Sequence, residues 1–192
     1  MELSYNFKNH QSDVRYLIQA INTIGDNLVG LELGVAMGES SMTILHNCSI
    51  KKLFLIDNWK PYYDYIKPVP DGQPAFIVNE KEAELHEFLT RHKIKYSGMS
   101  EKVEIIKEDS LNAVKYIEDK SLDFMFFDAM LSEKQSFEEA MAYYPKLKKG
   151  GFFMGHDAMC TEQVINPITS VKEYYNNYNS IHIYCDTFFF KI

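Results

Sequence analysis

The sequence is poor in the features that mark secreted, membrane-bound or nucleic-acid-binding chains. Its three cysteines, Cys48, Cys160 and Cys185, stand far apart with no C-x-x-C spacing. That offers neither a disulfide framework nor a zinc ribbon, and it suits a reducing compartment. No apolar run approaches the ~20 residues that span a bilayer. Residues 1–10 are polar and aromatic and lack the apolar core of a signal peptide. Lys and Arg number 20 against 27 Asp and Glu, a net charge of -7, whereas a nucleic-acid binder carries a basic surface. Internal repeats, low-complexity tracts and linker composition are missing too. The expectation is one cytoplasmic domain over residues 1–192, with no nucleic-acid or membrane partner. Its 46% hydrophobic content is enough for a packed core.

What is present is an alternation of apolar runs and helical patterns. Val14, Leu17, Ile18 and Ile21 repeat at helical spacing within 11–24. Leu28–Leu33 reads as a buried strand, followed by Gly34-Val35-Ala36-Met37-Gly38, then Ser40, Ser41 and a helical pattern through Cys48. A strand, a glycine turn and a helix open a nucleotide-binding α/β unit. Residues 52–57, 103–109, 122–128 and 152–157 are further strands, each closing on an acid: Asp57, Asp109, Asp128 and Asp157. Between them, the spacing predicts a helix over 79–93 with Leu85, Phe88, Leu89 and His92 on one face. A helix from Ser132 should turn Phe137, Ala140, Met141 and Tyr144 inward and end at Lys148-Lys149-Gly150-Gly151. Ser110 and Asn166 are expected helix caps. Two runs at 181–184 and 187–191 are too close for a crossover and predict an antiparallel hairpin. The fold class is therefore α/β: a Rossmann-like, seven-stranded, mostly parallel sheet with an antiparallel last strand and helices on both faces. Residues 58–78, rich in Pro and Tyr, interrupt this rhythm and are expected to form an aromatic lid-like insertion.

Ligands of open parallel sheets bind beyond the carboxyl ends of the strands. Four acids there, with Glu32 inside the first strand, crowd negative charge and call for polar or cationic partners. The series resembles the class I S-adenosylmethionine-dependent methyltransferases over nearly the whole chain. Glu32-Leu33-Gly34-Val35-Ala36-Met37-Gly38 resembles their first motif. Asp57 matches the acid that holds the ribose hydroxyls, Asp109 with Ser110 the pair beside the adenine, and Asp128 the acid near the methyl group. Gly-His-Asp after the fifth strand resembles a branch of small bacterial methyltransferases. The resemblance implies S-adenosyl-L-methionine contacts from Glu32, Gly34, Val35, Ala36, Gly38, Ser40, Ser41, Asp57, Asn58, Trp59, Asp109, Ser110, Asp128 and Ala129.

For catalysis His156, Asp128 and Asp157 are the candidates, with His156 as base because an unperturbed imidazole titrates near ~6.5. Adjacent side chains on a strand diverge, so His156 and Asp157 are expected on opposite faces. Related catechol and sugar O-methyltransferases hold a divalent ion, which implies a site for a metal such as Mg2+ at Asp128 and Asp157. The acceptor is expected against Trp59, Tyr62, Tyr63 and Tyr65, which suit a sugar or a phenol. The function expected is O-methylation of a small molecule. A cofactor-binding protein without catalysis and an NAD(P)-dependent oxidoreductase are the alternatives. The second lacks the G-x-G-x-x-G fingerprint, since Ala36 stands where a middle glycine would be. A homo-oligomer is compatible with the aromatic surface.

Overall fold

A computed structural model describes residues 7–61, 79–129 and 132–192. These form strands β1 (Leu28–Leu33), β2 (Ile50–Asp57), β3 (Val103–Lys107), β4 (Leu122–Phe127), β5 (Leu147–Gly155), β6 (His182–Tyr184) and β7 (Thr187–Lys191). The helices are α1 (Phe7–Asn22), α2 (Glu39–Asn47), α3 (Glu80–Ser97), α4 (Ser110–Ala113), α5 (Glu133–Tyr143) and α6 (Asn166–Tyr174). The strands make one sheet in the order β3-β2-β1-β4-β5-β7-β6. Pairings β1–β2, β2–β3, β1–β4 and β4–β5 are parallel, and β7 runs antiparallel to both β5 and β6. The expected α/β sheet with a reversed last strand is thus present.

Burial on both faces explains why the central strands read as continuous apolar runs. On β4, Leu122, Met125 and Phe127 pack into one cluster with Ala140, Tyr143, Ile168 and Val171 of α5 and α6. Phe124 and Phe126 pack into the other with Leu17, Ile21, Ile44 and Ile94 of α1, α2 and α3. After β1 the chain moves outward to β2 and β3, then returns across β1 to β4. The carboxyl ends of β1 and β4 therefore flank the topological switch point, where such sheets bind ligands.

Several local expectations are corrected. α3 buries Ala83, Thr90 and Ile94, while Leu85 and Phe88 are 50% and 60% exposed. α5 buries Ser136, Glu139, Ala140 and Tyr143, leaving Phe137 38% exposed. In both helices hydrogen bonds from buried polar residues, described below, set the rotation. Ser132 does cap α5, accepting the Gln135 N–H at 3.2 Å. β5 begins at Leu147, so Lys148 sits in a strand and pairs with Asp123 at 2.7 Å instead of facing a helix end. Asn166 is the first residue of α6, not its cap, because a π-helical turn over Thr161–Ile165 leads into it. Ser110 is likewise helical, with Asp109 in the cap position. Of the expected lid, residues 62–78 lie outside the described residues, and Tyr62, Tyr63 and Tyr65 with them.

Candidate active site and cofactor cleft

The turn after β1 is built from left-handed residues: Gly34 at φ 85°, Ala36 at 46° and Gly38 at 74°. At Gly34 a Cβ would lie 2.3 Å from the Asp128 carbonyl oxygen, so only glycine lets β1 and β4 close here. The Asp128 N–H donates to the Leu33 carbonyl at 2.8 Å across that junction.

Asp57, at the end of β2, holds the turn from one side. Its Oδ2 accepts the N–H groups of Val35 and Ala36, both at 2.8 Å, and its Oδ1 accepts that of Trp59 at 2.7 Å. Burial raises its pKa against the lowering effect of these three bonds. A carboxylate has about four lone-pair directions, which leaves roughly one for a ribose hydroxyl. On the other side, the Ala36 carbonyl accepts the Trp59 indole Nε1–H and the Thr90 hydroxyl, both at 2.8 Å. Lys93 Nζ donates to the Met37 carbonyl at 2.9 Å. Trp59 is therefore only 3% exposed and serves as a brace under the turn, which corrects its expected place in an acceptor wall.

Glu32 is fully buried, and its two oxygens accept the hydroxyls of Ser40 and Ser41. Those hydroxyls face β1 and tie α2 to the sheet. Burial pushes the Glu32 carboxyl up to about 7, against the two serine bonds and with help from the Asp57 charge.

A cleft opens beyond the ends of β1, β2, β3 and β4, bounded by Gly34, Asn58, Asp109, Ser110, Ala129 and Glu139 among others. Asn58 Nδ2 donates to Asp109 Oδ1 at 2.8 Å, and Lys60 Nζ meets Asp109 Oδ2 at 3.1 Å. These bonds hold the Asp109 carboxyl below the usual carboxylate range. Ser110 and Gln135 both donate to Glu139 Oε1. Glu139 escaped the sequence reading because helical periodicity ranks inward positions by apolarity, and a buried acid carries no such signal.

Immediately past Ala129, on the far side of the β1–β4 junction, Asp128, His156 and Asp157 converge, with one ligand atom of each within 4.8 Å of the others. His156 Nδ1 lies 3.1 Å from Asp157 Oδ1 and 3.7 Å from Asp128 Oδ1. The expected divergence of His156 and Asp157 fails because β5 ends at Gly155 and Asp157 is left-handed, at φ 57°. Its carboxylate thereby curls back to its neighbour. Burial pulls the imidazole pKa down, but the Asp157 bond and the charges of Asp128, Asp157 and Asp186 outweigh it and bring the value to about 9. Titration near 6.5 therefore does not hold: the ring is an imidazolium at neutral pH. Burial chiefly raises the Asp128 carboxyl, which the His156 charge opposes.

Residues 31–158 match a sequence family described as a methyltransferase domain. The chain belongs to this methyltransferase family. It is of the class I, S-adenosylmethionine-dependent kind, as the resemblance implied. No protein of curated function matches the methyltransferase in sequence. Solved structures similar to it include the O-methyltransferase NovP, at 15% identity and a TM-score of 0.64, covering 95% of this chain and 78% of that one. A candidate caffeoyl-CoA O-methyltransferase from Staphylococcus aureus gives 16%, 0.62, 93% and 82%. An O-methyltransferase from Bacillus cereus in complex with S-adenosylhomocysteine gives 15%, 0.58, 93% and 79%. At these identities the likeness establishes the fold. Among the described residues no helix is long and apolar enough to cross a membrane.

Proposed function

We propose that the methyltransferase transfers the methyl group of S-adenosylmethionine to a hydroxyl of a small molecule, such as a phenol or a sugar. The observation that carries this is the acid–imidazole cluster of Asp128, His156 and Asp157, which follows β4 and β5 next to the Gly34–Asp128 contact of the β1–β4 junction. The adenosyl part would occupy the cleft between Asn58 and Ser110, with the sulfonium toward Asp128. The S–CH3 bond would break as the O–CH3 bond forms, and the acceptor proton would leave toward the carboxylates of Asp128 and Asp157. Holding the two reactants in line supplies roughly 7–11 kcal/mol of such a barrier. The names of the structural neighbours support an oxygen acceptor, and family membership gives no support to the NAD(P)-dependent alternative.

The same cluster fits a divalent cation. Asp128, Asp157 and Asp186 surround one imidazole, so a cation offsets negative charge that His156 alone leaves in excess. Asp128 and Asp157 would each supply a carboxylate oxygen and His156, on giving up its extra proton to solvent as the ion enters, a nitrogen, a set that suits Mn2+, Fe2+ or Zn2+ better than Mg2+. A bound ion would lower the pKa of an acceptor hydroxyl.

Two measurements test the reading. Calorimetric titration should show S-adenosylhomocysteine binding, and no heat at high micromolar ligand would end the cofactor assignment. Release of S-adenosylhomocysteine is then followed with a panel of phenols and sugars, before and after treatment with EDTA and after restoring Mn2+ or Mg2+. Binding without turnover of any acceptor would turn the conclusion to a cofactor-binding protein without catalysis. Activity untouched by EDTA would remove the ion and leave the carboxylates as proton acceptors.

A further inference from the structure

Four acids line the cleft: Asp57, Glu108, Asp109 and Glu139. Three have their oxygens engaged or lie at its open side. Asp57 takes three backbone N–H groups. Asp109 takes Asn58 on one oxygen and Lys60 on the other. Glu108, half-buried, accepts the Asp109 N–H at 2.9 Å. Glu139 is different. It is wholly buried, its Oε1 accepts both Ser110 and Gln135, and its Oε2 has no partner among the described residues. A buried carboxylate oxygen without a donor is disfavoured unless a ligand brings one.

We infer that Glu139 Oε2 accepts a hydrogen bond from the exocyclic amino group of the cofactor's purine and so makes the site selective for a 6-amino over a 6-oxo base. The inference rests on the reading of this cleft as the adenosyl site. An S-adenosyl ligand carries three kinds of donor. The methionine amine belongs with the sulfonium, toward Asp128, and the ribose hydroxyls belong at the end of β2, by Asp57 and Asn58. Glu139 stands away from both, on α5 behind Ser110, where the base remains to be matched. A 6-oxo base would set its carbonyl lone pairs against the carboxylate. Burial first, and then the Glu138 charge, raise the Glu139 carboxyl to about 7, opposed by Gln135 and Ser110. Of the other groups facing it, Tyr143 has a raised phenol and Asp109 a lowered carboxyl, so neither changes charge near neutrality.

The test compares S-adenosylhomocysteine with S-inosylhomocysteine by calorimetry on the native protein and on Glu139→Gln, between pH 6 and 8.5. The native protein should prefer the adenosyl ligand by on the order of 10- to 100-fold at pH 8. That preference should shrink as pH falls below about 7 and Glu139 gains a proton. Glu32 titrates over the same range, but it touches neither purine substituent and cancels in the ratio. In Glu139→Gln, whose amide both donates and accepts, the preference should collapse to within roughly threefold and lose its pH dependence. Equal affinities in the native protein, or an unchanged ratio in the variant, would overturn the assignment of Glu139 alone. Should the variant not fold, the ratio and its pH dependence in the native protein decide by themselves. If the native protein bound neither ligand at millimolar concentration, the cofactor reading would fall and this inference with it.

Discussion

Replacing Asp57 by Asn separates two roles that the sequence merges. If Asp57 only touches a ribose, the substitution should leave the ligand-free protein as stable as before and weaken cofactor binding. The structure predicts otherwise, because the Asp57 oxygens take the N–H groups of Val35, Ala36 and Trp59 at 2.7–2.8 Å in a buried setting. Asn keeps one acceptor oxygen. Placed at Oδ2 it retains Val35 and Ala36 and turns its amide NH2 toward the Trp59 N–H; placed at Oδ1 it retains Trp59 alone. The smaller loss is one charge-assisted bond, about 1.5–3 kcal/mol, plus one buried N–H left unmatched, about 1–3 kcal/mol. Relief of the buried charge offsets part of this, since burial is the first cause of the raised Asp57 pKa. A net loss of roughly 2–4 kcal/mol remains, and at about 2–4 °C per kcal/mol for a chain of this size Tm should fall by roughly 5–15 °C. Thermal and urea unfolding without ligand, followed by titration with S-adenosylhomocysteine, measures both effects. A ligand-free Tm within about 1 °C of native, with weakened ligand binding, would refute the view that this carboxylate builds the turn.

Three further substitutions probe the same frame. Glu32→Gln should stabilise the protein at pH 8.5 relative to native and flatten its pH dependence. The raised Glu32 carboxyl contributes stability that is fully present below about 4.5 and is lost as pH rises through about 7, up to roughly 3 kcal/mol. Urea midpoints at pH 5 and 8.5 measure it, and parallel curves for the two proteins would defeat the reasoning. Gly34→Ala should lower stability by more than about 2 kcal/mol and abolish cofactor binding, because its Cβ meets only backbone, at Asp128 and Ala129, and its φ is 85°; an unshifted Tm would contradict this. Trp59→Phe removes the indole bond to Ala36, which keeps Thr90 as a donor, so Tm should drop by only a few degrees, about 1 kcal/mol. A loss as large as that of Gly34→Ala would mean that the ring's packing, not its N–H, holds the turn.

The sheet was legible because its strands are buried on both faces and stand out as apolar runs closed by acids, as in Leu122–Asp128. The hairpin was legible from a two-residue gap. Helix rotation was not. In α3 an apolar reading favours Leu85 and Phe88, yet Thr90 and Lys93 reach the turn carbonyls of Ala36 and Met37 and fix the opposite phase. In α5 the bond from Ser110 of α4 to Glu139 outweighs the pull of Phe137. The bonds from Ser110, Thr90 and Lys93 join residues 29 to 56 positions apart, and no local window contains both partners. Asp157 shows a second limit: a left-handed backbone is uncommon outside glycine, so strand alternation was extended one residue too far.

Grouping the acids by partner divides the site more cleanly than grouping them by strand. Glu32, Asp57 and Asp109 have both oxygens engaged by this chain: by α2 serines, by backbone amides, and by Asn58 with Lys60. Their first work is shape, and their loss should register in the ligand-free protein. Glu139 Oε2 and the trio Asp128, His156 and Asp157 stand apart, one without a donor among the described residues and the other gathered round a single imidazole. Neutralising Asp128 or Glu139, as Asn or Gln, should relieve a buried charge, so stability should hold or rise while binding or turnover falls. Buried charge that opposes stability and lacks a full set of bonds within the described chain marks a group arranged for a ligand, which separates Glu139 from Glu32. It also explains why four acids tolerate one sheet edge: the chain satisfies some of them itself, and the remainder face a ligand that brings an amine, a sulfonium and a purine amino group.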